Sequence, residues 1–322
     1  MHAWLCEELT GAQALRWTEL PTPGPKAGEV RIAVHAASLN FPDLLTVQGK
    51  YQIKPPLPFV PGSEFSGVVD AVGDGVEHLK VGDRVASIGV AGGFGTHACV
   101  NAATVLPLPP QLDLTDAAAF AFTYGTSHHA LIDRAALKAG ETVLVLGAAG
   151  GVGTAAVQVA KAAGAQVVAA VGSAEKASFC KALGADLAID LSREPLRDAL
   201  KTANIAPDVV YDPVGGDLAE PAFRSIGWRG RYLVVGFAAG PIPALPLNLA
   251  LLKGASIVGV FWGDFVRREP RAFQAALMQL VTWYAEGKVK PAIDATLPMT
   301  ALPEAYARMA SRRVMGKLVL VN

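Results

Sequence analysis

The sequence predicts an α/β protein, a doubly wound parallel sheet joined to a smaller, mostly β domain. Two textures and one junction carry that prediction. From about residue 112 onward, short apolar strand runs alternate with helical runs, the pattern of a parallel sheet with covering helices. Before residue 112 the chain is rich in Gly, Pro and short β-type runs. Within the second regime an apolar strand enters a glycine cluster at 147–153 and leaves directly into an alanine-rich helix.

Pro21, Pro23 and Pro25 break the chain before residues 30–36, which alternate as a strand does. Pro55, Pro56, Pro58 and Pro61 make an extended loop. Residues 67–72 and 84–87 read as further strands, with turn signals at 73–76 and Gly82-Asp83. Together they predict a small antiparallel, barrel-like unit. In the second regime helices are expected over about 115–137 and 153–163. Strands are expected at 142–146, 166–170, 187–190, 209–212 and 231–235, with a sixth at 256–262. Helices at 273–285 and 303–309 lead to a final strand at 317–321.

At 322 residues the chain has room for two domains. Hydrophobic residues at 52% against 17% charged suit large buried sheets and exclude a disordered chain. Lys plus Arg equals Asp plus Glu, 28 each, so no global field recruits nucleic acid, and any anion must be held locally. Cys6, Cys99 and Cys180 are scattered and form no CxxC pair, which argues against a disulfide framework and a cysteine-rich zinc lobe. The first twenty residues lack a basic start followed by an apolar core. No apolar run reaches the ~18 residues of a membrane span. A cytoplasmic location is expected.

The junction Thr142-Val143-Leu144-Val145-Leu146-Gly147-Ala148-Ala149-Gly150-Gly151-Val152-Gly153 is the strongest signal. It is a glycine-rich dinucleotide turn in the strand–turn–helix context that motif requires, with Ala148 in place of one glycine. Gly150 would let the backbone approach a pyrophosphate, and Gly153 would let the helix pack close to the strand. Free N–H groups of Gly151, Val152 and Gly153 would face the anion. The next strand chooses the cofactor. An NAD site usually carries Asp or Glu at its tip. Here the tip reads Gly172-Ser173-Ala174-Glu175-Lys176, which offers space, a hydroxyl and a cation. That suits a 2′-phosphate and hence NADPH, provided Glu175 points away. Lys176 on a solvated helix face is the alternative.

Further segments resemble the medium-chain dehydrogenase/reductases, and among them the zinc-free quinone oxidoreductases. The resemblance is carried by Ala37-Ser38-Leu39-Asn40-Phe41-Pro42-Asp43, Pro61-Gly62-Ser63-Glu64-Phe65-Ser66-Gly67-Val68-Val69 and Val81-Gly82-Asp83-Arg84-Val85. The turn at 148–153, then Val209-Val210-Tyr211-Asp212-Pro213-Val214-Gly215-Gly216, and finally Ser311-Arg312-Arg313-Val314-Met315-Gly316-Lys317 complete it. It spans essentially the whole chain. It implies a split GroES-like catalytic domain, 1–122 and 266–322, around a Rossmann NADPH-binding domain, 123–265, with nicotinamide and substrate in the cleft between them. It also implies a homodimer through the edge strand 256–262, since an apolar edge needs covering. Zinc-using relatives place a cysteine where this chain has Asn40 and a histidine where it has Ser63. No thiolate or imidazole set is left for zinc, and no metal is expected. Quinone oxidoreductases often carry a Tyr near Asp190-Leu191 that helps hold the adenosine phosphate, and its absence implies a missing or substituted contact.

The nicotinamide itself carries the chemistry, so residues are needed to position and shield it rather than to form a hydrolytic triad. Asn40 is the first candidate, near nicotinamide or substrate, with an amide able to donate to a quinone or enone oxygen. Tyr51 would donate a proton or hydrogen bond, with packing in a loop as the alternative. Thr126 is expected to face the cofactor phosphate or ribose. Phe237, Phe261 and Trp262 are expected by the resemblance to lie at the cofactor, with core packing as the alternative. Asp43 would cap or orient. Lys317 would reach the cofactor or else sit in solvent. The leading expectation is NADPH-dependent, zinc-independent reduction of a quinone or related conjugated carbonyl, a small-molecule substrate. The alternatives are an enone or 2-enoyl thioester (acrylyl-CoA-like) reductase and a non-catalytic NADPH-binding redox sensor.

Overall fold

Alternating burial over the longest strand organises the first of two compact units. The computed structural model describes residues 1–322. The first unit comprises Met1–Phe122 and Ile293–Asn322. In chain order it holds β1 (His2–Leu5), β2 (Arg16–Glu19), β3 (Glu29–Ser38), helix α1 (Phe41–Val47), β4 (Glu64–Val72), β5 (Arg84–Ile88), β6 (His97–Asn101), β7 (Val105–Pro107) and α2 (Leu114–Ala117). Helix α3 (Ala121–His128) follows at the boundary. The second unit, Thr123–Ala292, continues with β8 (Thr142–Leu146), α4 (Gly151–Ala162), β9 (Gln166–Val171), α5 (Ala174–Ala182), β10 (Leu187–Asp190), α6 (Leu196–Thr202), β11 (Val209–Asp212) and α7 (Ala219–Ser225). It ends with β12 (Arg231–Val234), α8 (Asn248–Lys253), β13 (Ser256–Gly259), α9 (Trp262–Arg268) and α10 (Pro270–Ala285). The chain then returns to the first unit as β14 (Ile293–Pro298), α11 (Leu302–Ala310) and β15 (Lys317–Val321).

In the first unit the sheet runs β14-β15-β3-β4-β5-β7, with β6 also on β3. Strand β3 is long enough to serve three partners. Its start pairs with β6, its end with β15, and its length with β4, all antiparallel. The C-terminal strand thus joins a sheet otherwise built, β14 apart, from residues 29–107. Ile32, Phe65, Val85, Phe94, Leu318 and Leu320 form its core. This is the small, mostly antiparallel unit expected from the first third, with β14 alone pairing parallel, on β15. Strands β1, β2, β6, β7 and β14 were not legible as strands, because each is short or half-exposed and lacks clean alternation.

The second unit has a six-stranded parallel sheet in the order β10-β9-β8-β11-β12-β13. Its central strands β8 and β11 are almost wholly buried, as expected where helices cover both faces. The order reverses between β8 and β11, and ligands of such sheets bind beyond the carboxyl ends at that switch point. The expected doubly wound α/β architecture is therefore present.

Three expectations are corrected. The helix at 115–137 is broken: Asp113 caps α2 by accepting from Thr115 and Asp116 N–H, α2 stops at Ala117, α3 restarts at Ala121, and 129–134 widens into a π-helical turn. The sixth strand ends at Gly259, where its pairing with Val234 of β12 ends, and Trp262 begins α9 instead. Residues 266–292 lie in the second unit rather than with the catalytic segments. There the His128 Nε2 lies 2.6 Å from Gln279 Oε1, and Lys290 O accepts from Tyr124 and Gln158. No helix is long and apolar enough to cross a membrane.

Candidate cofactor and active sites

Two groups of residues, one in each unit, are the candidate sites. The first is the turn between β8 and α4, at the switch point of the parallel sheet. Gly147 sits at φ 60°, a conformation glycine adopts without strain. At Gly153 a Cβ would stand 2.3 Å from the Gly147 carbonyl oxygen, so only glycine lets the helix approach the strand this closely. Helix α4 has no side-chain cap: Gly150 occupies the N-cap position and Thr154 N–H makes the first intrahelical bond, to Gly150 O. The N–H groups of Gly151, Val152 and Gly153 precede that bond and lack intrahelical acceptors. Twelve residues of helix dipole end on these donors, a favourable seat for an anion. Ala148 is fully buried, its side chain packed below the turn. These features fit a pyrophosphate.

At the tip of β9, Gly172 faces open space. Ser173 N-caps α5, its Oγ accepting from Lys176 N–H at 3.3 Å, which leaves the hydroxyl proton available. Lys176 is half-buried and Glu175 exposed. The neighbouring carboxylate, Asp190 at the tip of β10, is consumed locally: it accepts from Ser192 N–H and Oγ at 3.0 and 2.7 Å, and Arg193 lies 3.4 Å away. Leu191 N–H donates to Val171 O, so the chain carrying Arg193 leaves β10 beside the β9 tip. Arg193 was missed in the sequence, where nothing marks it apart from other surface arginines.

Thr126 is buried on α3. The next residue, Ser127, ties α3 to the dinucleotide turn: its Oγ donates to Val152 O at 3.1 Å and meets Tyr211 Oη at the same distance. Phe237 and Phe261 are 37% and 54% exposed. Trp262 is only 5% exposed, packed edge-on to Phe273, with Gly125 leaving room for its indole. Of the three aromatics it alone takes the core position.

The second group is a buried polar cluster in the first unit, at the junction of β3 and α1, the start of β4 and the start of β15. Asn40 precedes α1, and its backbone N–H donates to Asp43 Oδ2 at 2.8 Å, half of a capping box. Asp43 Oδ1 accepts from Ser63 N–H at 2.9 Å, which fixes the 61–63 loop against the helix start. Asp43 thus caps and orients. Burial pushes its carboxyl up to about 6, against the opposing pull of the Asn40 N–H, Ser63 and the charge of Lys317. Tyr51 is half-buried, and burial together with the Asp43 charge raises its phenol, which stays a donor.

Lys317 lies neither at the surface nor along an open face. It is 4% exposed, and its ammonium donates to Leu39 O at 3.1 Å and to Asn40 Oδ1 at 2.5 Å. Glu64, fully buried, stands 3.6 Å from it. Burial lowers the Lys317 ammonium, while Glu64 and Asp43 oppose that shift. Glu64 accepts from Ser38 Oγ, from Asn40 Nδ2 and from the Phe122 N–H. The structure therefore brings Asn40, Asp43 and Lys317 together and adds Glu64. A charged residue opening an apolar strand, Glu64-Phe65-Ser66-Gly67-Val68-Val69, was the one sequence sign of it. Asn40 and Ser63 supply an amide and a hydroxyl to this cluster, and no group of three or more His, Cys, Asp or Glu forms a metal-binding set.

Two family models match: the alcohol dehydrogenase GroES-like domain over residues 26–110 and the zinc-binding dehydrogenase model over 151–283. A quinone oxidoreductase-like protein 2 homolog of Nematostella vectensis is 38% identical, across 99% of this chain and 88% of its own. A solved probable oxidoreductase of Mycobacterium abscessus is 39% identical, with a TM-score of 0.89 over 100% of this chain and 99% of that one. The quinone oxidoreductase of Thermus thermophilus, solved also in complex with NADPH, is 33% identical with a TM-score of 0.86, each chain covered in full. The split β unit, the switch-point turn and these likenesses converge: the chain belongs to the medium-chain dehydrogenase/reductase family, among its quinone oxidoreductases.

Proposed function

We propose that this oxidoreductase uses NADPH, without zinc, to reduce a quinone or a related conjugated carbonyl. The observation that carries the reading is the Asn40 cluster. At Asn40 and Ser63, where zinc-using members hold a cysteine and a histidine, it presents an amide and a hydroxyl, beside a buried Glu64–Lys317 pair. Such a donor set does not suit zinc, which takes thiolate, imidazole or carboxylate in a closed or nearly closed arrangement. An amide N–H suits a carbonyl oxygen that gains negative charge as it is reduced.

The β9 tip supports NADPH over NADH. It has room at Gly172, a hydroxyl at Ser173 and a cation at Lys176, with Arg193 as a second cation nearby. The carboxylate that would claim a ribose 2′-hydroxyl is absent from this tip. Residues 151–153 would hold the pyrophosphate. When bound, the reduced nicotinamide supplies the hydride. The chain's own work is to orient the acceptor at Asn40 and to keep Tyr51 protonated as a donor. The relative of Thermus thermophilus, solved with NADPH, supports the same assignment.

The test is NADPH oxidation by purified protein with 9,10-phenanthrenequinone, with crotonyl-CoA, and with no acceptor. Turnover with the quinone is expected. Turnover with crotonyl-CoA alone would move the assignment to enoyl thioesters. Tight NADPH binding with no turnover on either would make the chain a binding protein.

A further inference from the structure

We infer that Lys317 and Glu64 are positioning residues that lock the Asn40 side-chain amide in one orientation, with an N–H left over for the acceptor. The inference rests on the reading of Asn40 given above and specifies how it works.

An asparagine amide has an acceptor end and a donor end of nearly equal shape, so its orientation is set by its partners. Here the partners differ in kind. The Lys317 ammonium has donors only, and it lies 2.5 Å from Asn40 Oδ1. The Glu64 carboxylate has acceptors only, and its Oε2 accepts from Asn40 Nδ2 at 3.2 Å. A flipped amide would set N–H against ammonium and carbonyl against carboxylate, two repulsive contacts in a site that excludes water.

Each partner is itself held. Lys317 also donates to Leu39 O, and Glu64 stands 3.6 Å from its ammonium. The Glu64 carboxylate accepts from Ser38 Oγ at 2.8 Å and from Phe122 N–H at 2.8 Å. The Asn40 backbone is fixed by its N–H bond to Asp43. Ser38, Asn40, Asp43, Glu64 and Lys317 are all buried. The lock therefore has no slack in the backbone and none in the two charged side chains.

Two consequences follow for the acceptor. Asn40 Oδ1 faces the Lys317 ammonium, and one of the two Nδ2 hydrogens goes to Glu64, so the donor left over is a single N–H. Asn40 then offers that N–H to an acceptor atom, a carbonyl oxygen. The ammonium on Oδ1 also polarises the amide, which strengthens the N–H as a donor while negative charge builds on the substrate oxygen.

A double-mutant cycle with NADPH and 9,10-phenanthrenequinone tests the lock. Asn40→Ala should lower kcat/KM about ten- to a hundredfold, the range of a hydrogen bond to a charged group. Glu64→Gln and Lys317→Met should each lower it about tenfold, with the Kd for NADPH changed less than about twofold. The doubles Asn40→Ala/Glu64→Gln and Asn40→Ala/Lys317→Met should match Asn40→Ala alone, because there is no amide left to orient. Multiplied losses in the doubles would overturn the inference, since the two residues would then act independently of Asn40. If Lys317→Met leaves Glu64 unpaired and the protein fails to fold, the nearly isosteric Glu64→Gln arm decides alone. An Asn40→Ala enzyme with full kcat/KM would overturn the underlying reading of Asn40 and the lock's catalytic role with it. If the wild type reduces no quinone, side-chain amide exchange of Asn40 by NMR still decides the lock. Slow exchange that becomes fast in Glu64→Gln supports it, and equal exchange in both overturns it.

Discussion

Asp43 carries a buried charge that the fold uses and is destabilised by. Its carboxylate ties the start of α1 to the 61–63 loop, yet burial lifts it to about 6 from an ordinary 3.8. Below pH 3.8 both folded and unfolded chains hold this proton. Between 3.8 and 6 the folded state keeps a proton that the unfolded state has released, so this group's contribution to stability falls as pH rises. Above 6 the penalty is constant, about 3 kcal/mol for a difference of this size. Asp43→Asn should remove that slope. Denaturant unfolding at pH 4 and pH 6.5 should show the wild type losing stability relative to the variant as pH rises, and equal slopes would contradict the burial argument. At the other site, Lys176→Ala should raise KM for NADPH about ten- to a hundredfold, as loss of a charge-assisted bond does, and leave KM for NADH nearly unchanged. Equal effects on the two cofactors would remove Lys176 from the phosphate site. Asn40 and Lys176 stood out as candidates in the sequence because each lies inside a local motif. Lys317 was a candidate too, but its burial against Asn40 was not legible, because that contact spans 277 positions and no local pattern shows whether a lysine at the start of a strand turns outward or inward.

Among the elements, the β8–turn–α4 unit is the most constrained. Its strand is buried, its helix is uncapped, and its glycines are required by a positive φ and a close approach. A Cβ at position 153 meets backbone rather than a flexible side chain, so the structure must shift to admit it. Gly153→Ala should destabilise the unit by about 1–3 kcal/mol, in the range of overpacked sites, and weaken NADPH binding at least tenfold. Thermal melts and fluorescence titration measure the two effects. An unchanged Kd would mean that the turn does not seat the pyrophosphate. This unit was readable from sequence since strand, glycines and helix are contiguous. The 115–137 region was not, because its apolar residues satisfy helical periodicity throughout, while the breaks at Ala118–Phe120 and the π-helical widening at 129–134 come from tertiary packing. Likewise the run 256–262 keeps an apolar strand composition, but its partner β12 ends first, and the chain turns at Phe261 to bury Trp262.

For the whole molecule, the two compact units share a chain that leaves the first unit at Phe122 and returns at Ile293. The resemblance implied crossings at 122–123 and at 265–266. It placed the second too early, because α9 and α10 look like any amphipathic helices and only their contacts with α3, Trp262 on Gly125 and Gln279 and Trp283 on His128, assign them. The parallel sheet ends in β13, whose outer edge has no partner within the chain and whose Ile257 is 40% exposed. An unprotected apolar edge of this kind is a template for pairing, and a second copy of the chain is the occupant we propose. Light scattering should find a dimer, and Ile257→Lys should shift it toward monomer by placing like charges together at the joint. A wild-type monomer would contradict the pairing.

The reading we propose is that the chain oxidises NADPH against a conjugated carbonyl and needs no zinc to do so. The direct measurement is an anaerobic titration of NADPH with 9,10-phenanthrenequinone, catalysed by protein stripped with a strong chelator and checked by metal analysis. The account predicts that the stripped protein consumes one NADPH per quinone at the rate of untreated protein. Loss of that turnover on stripping and its return with added zinc, or bound NADPH that no quinone oxidises, would contradict it.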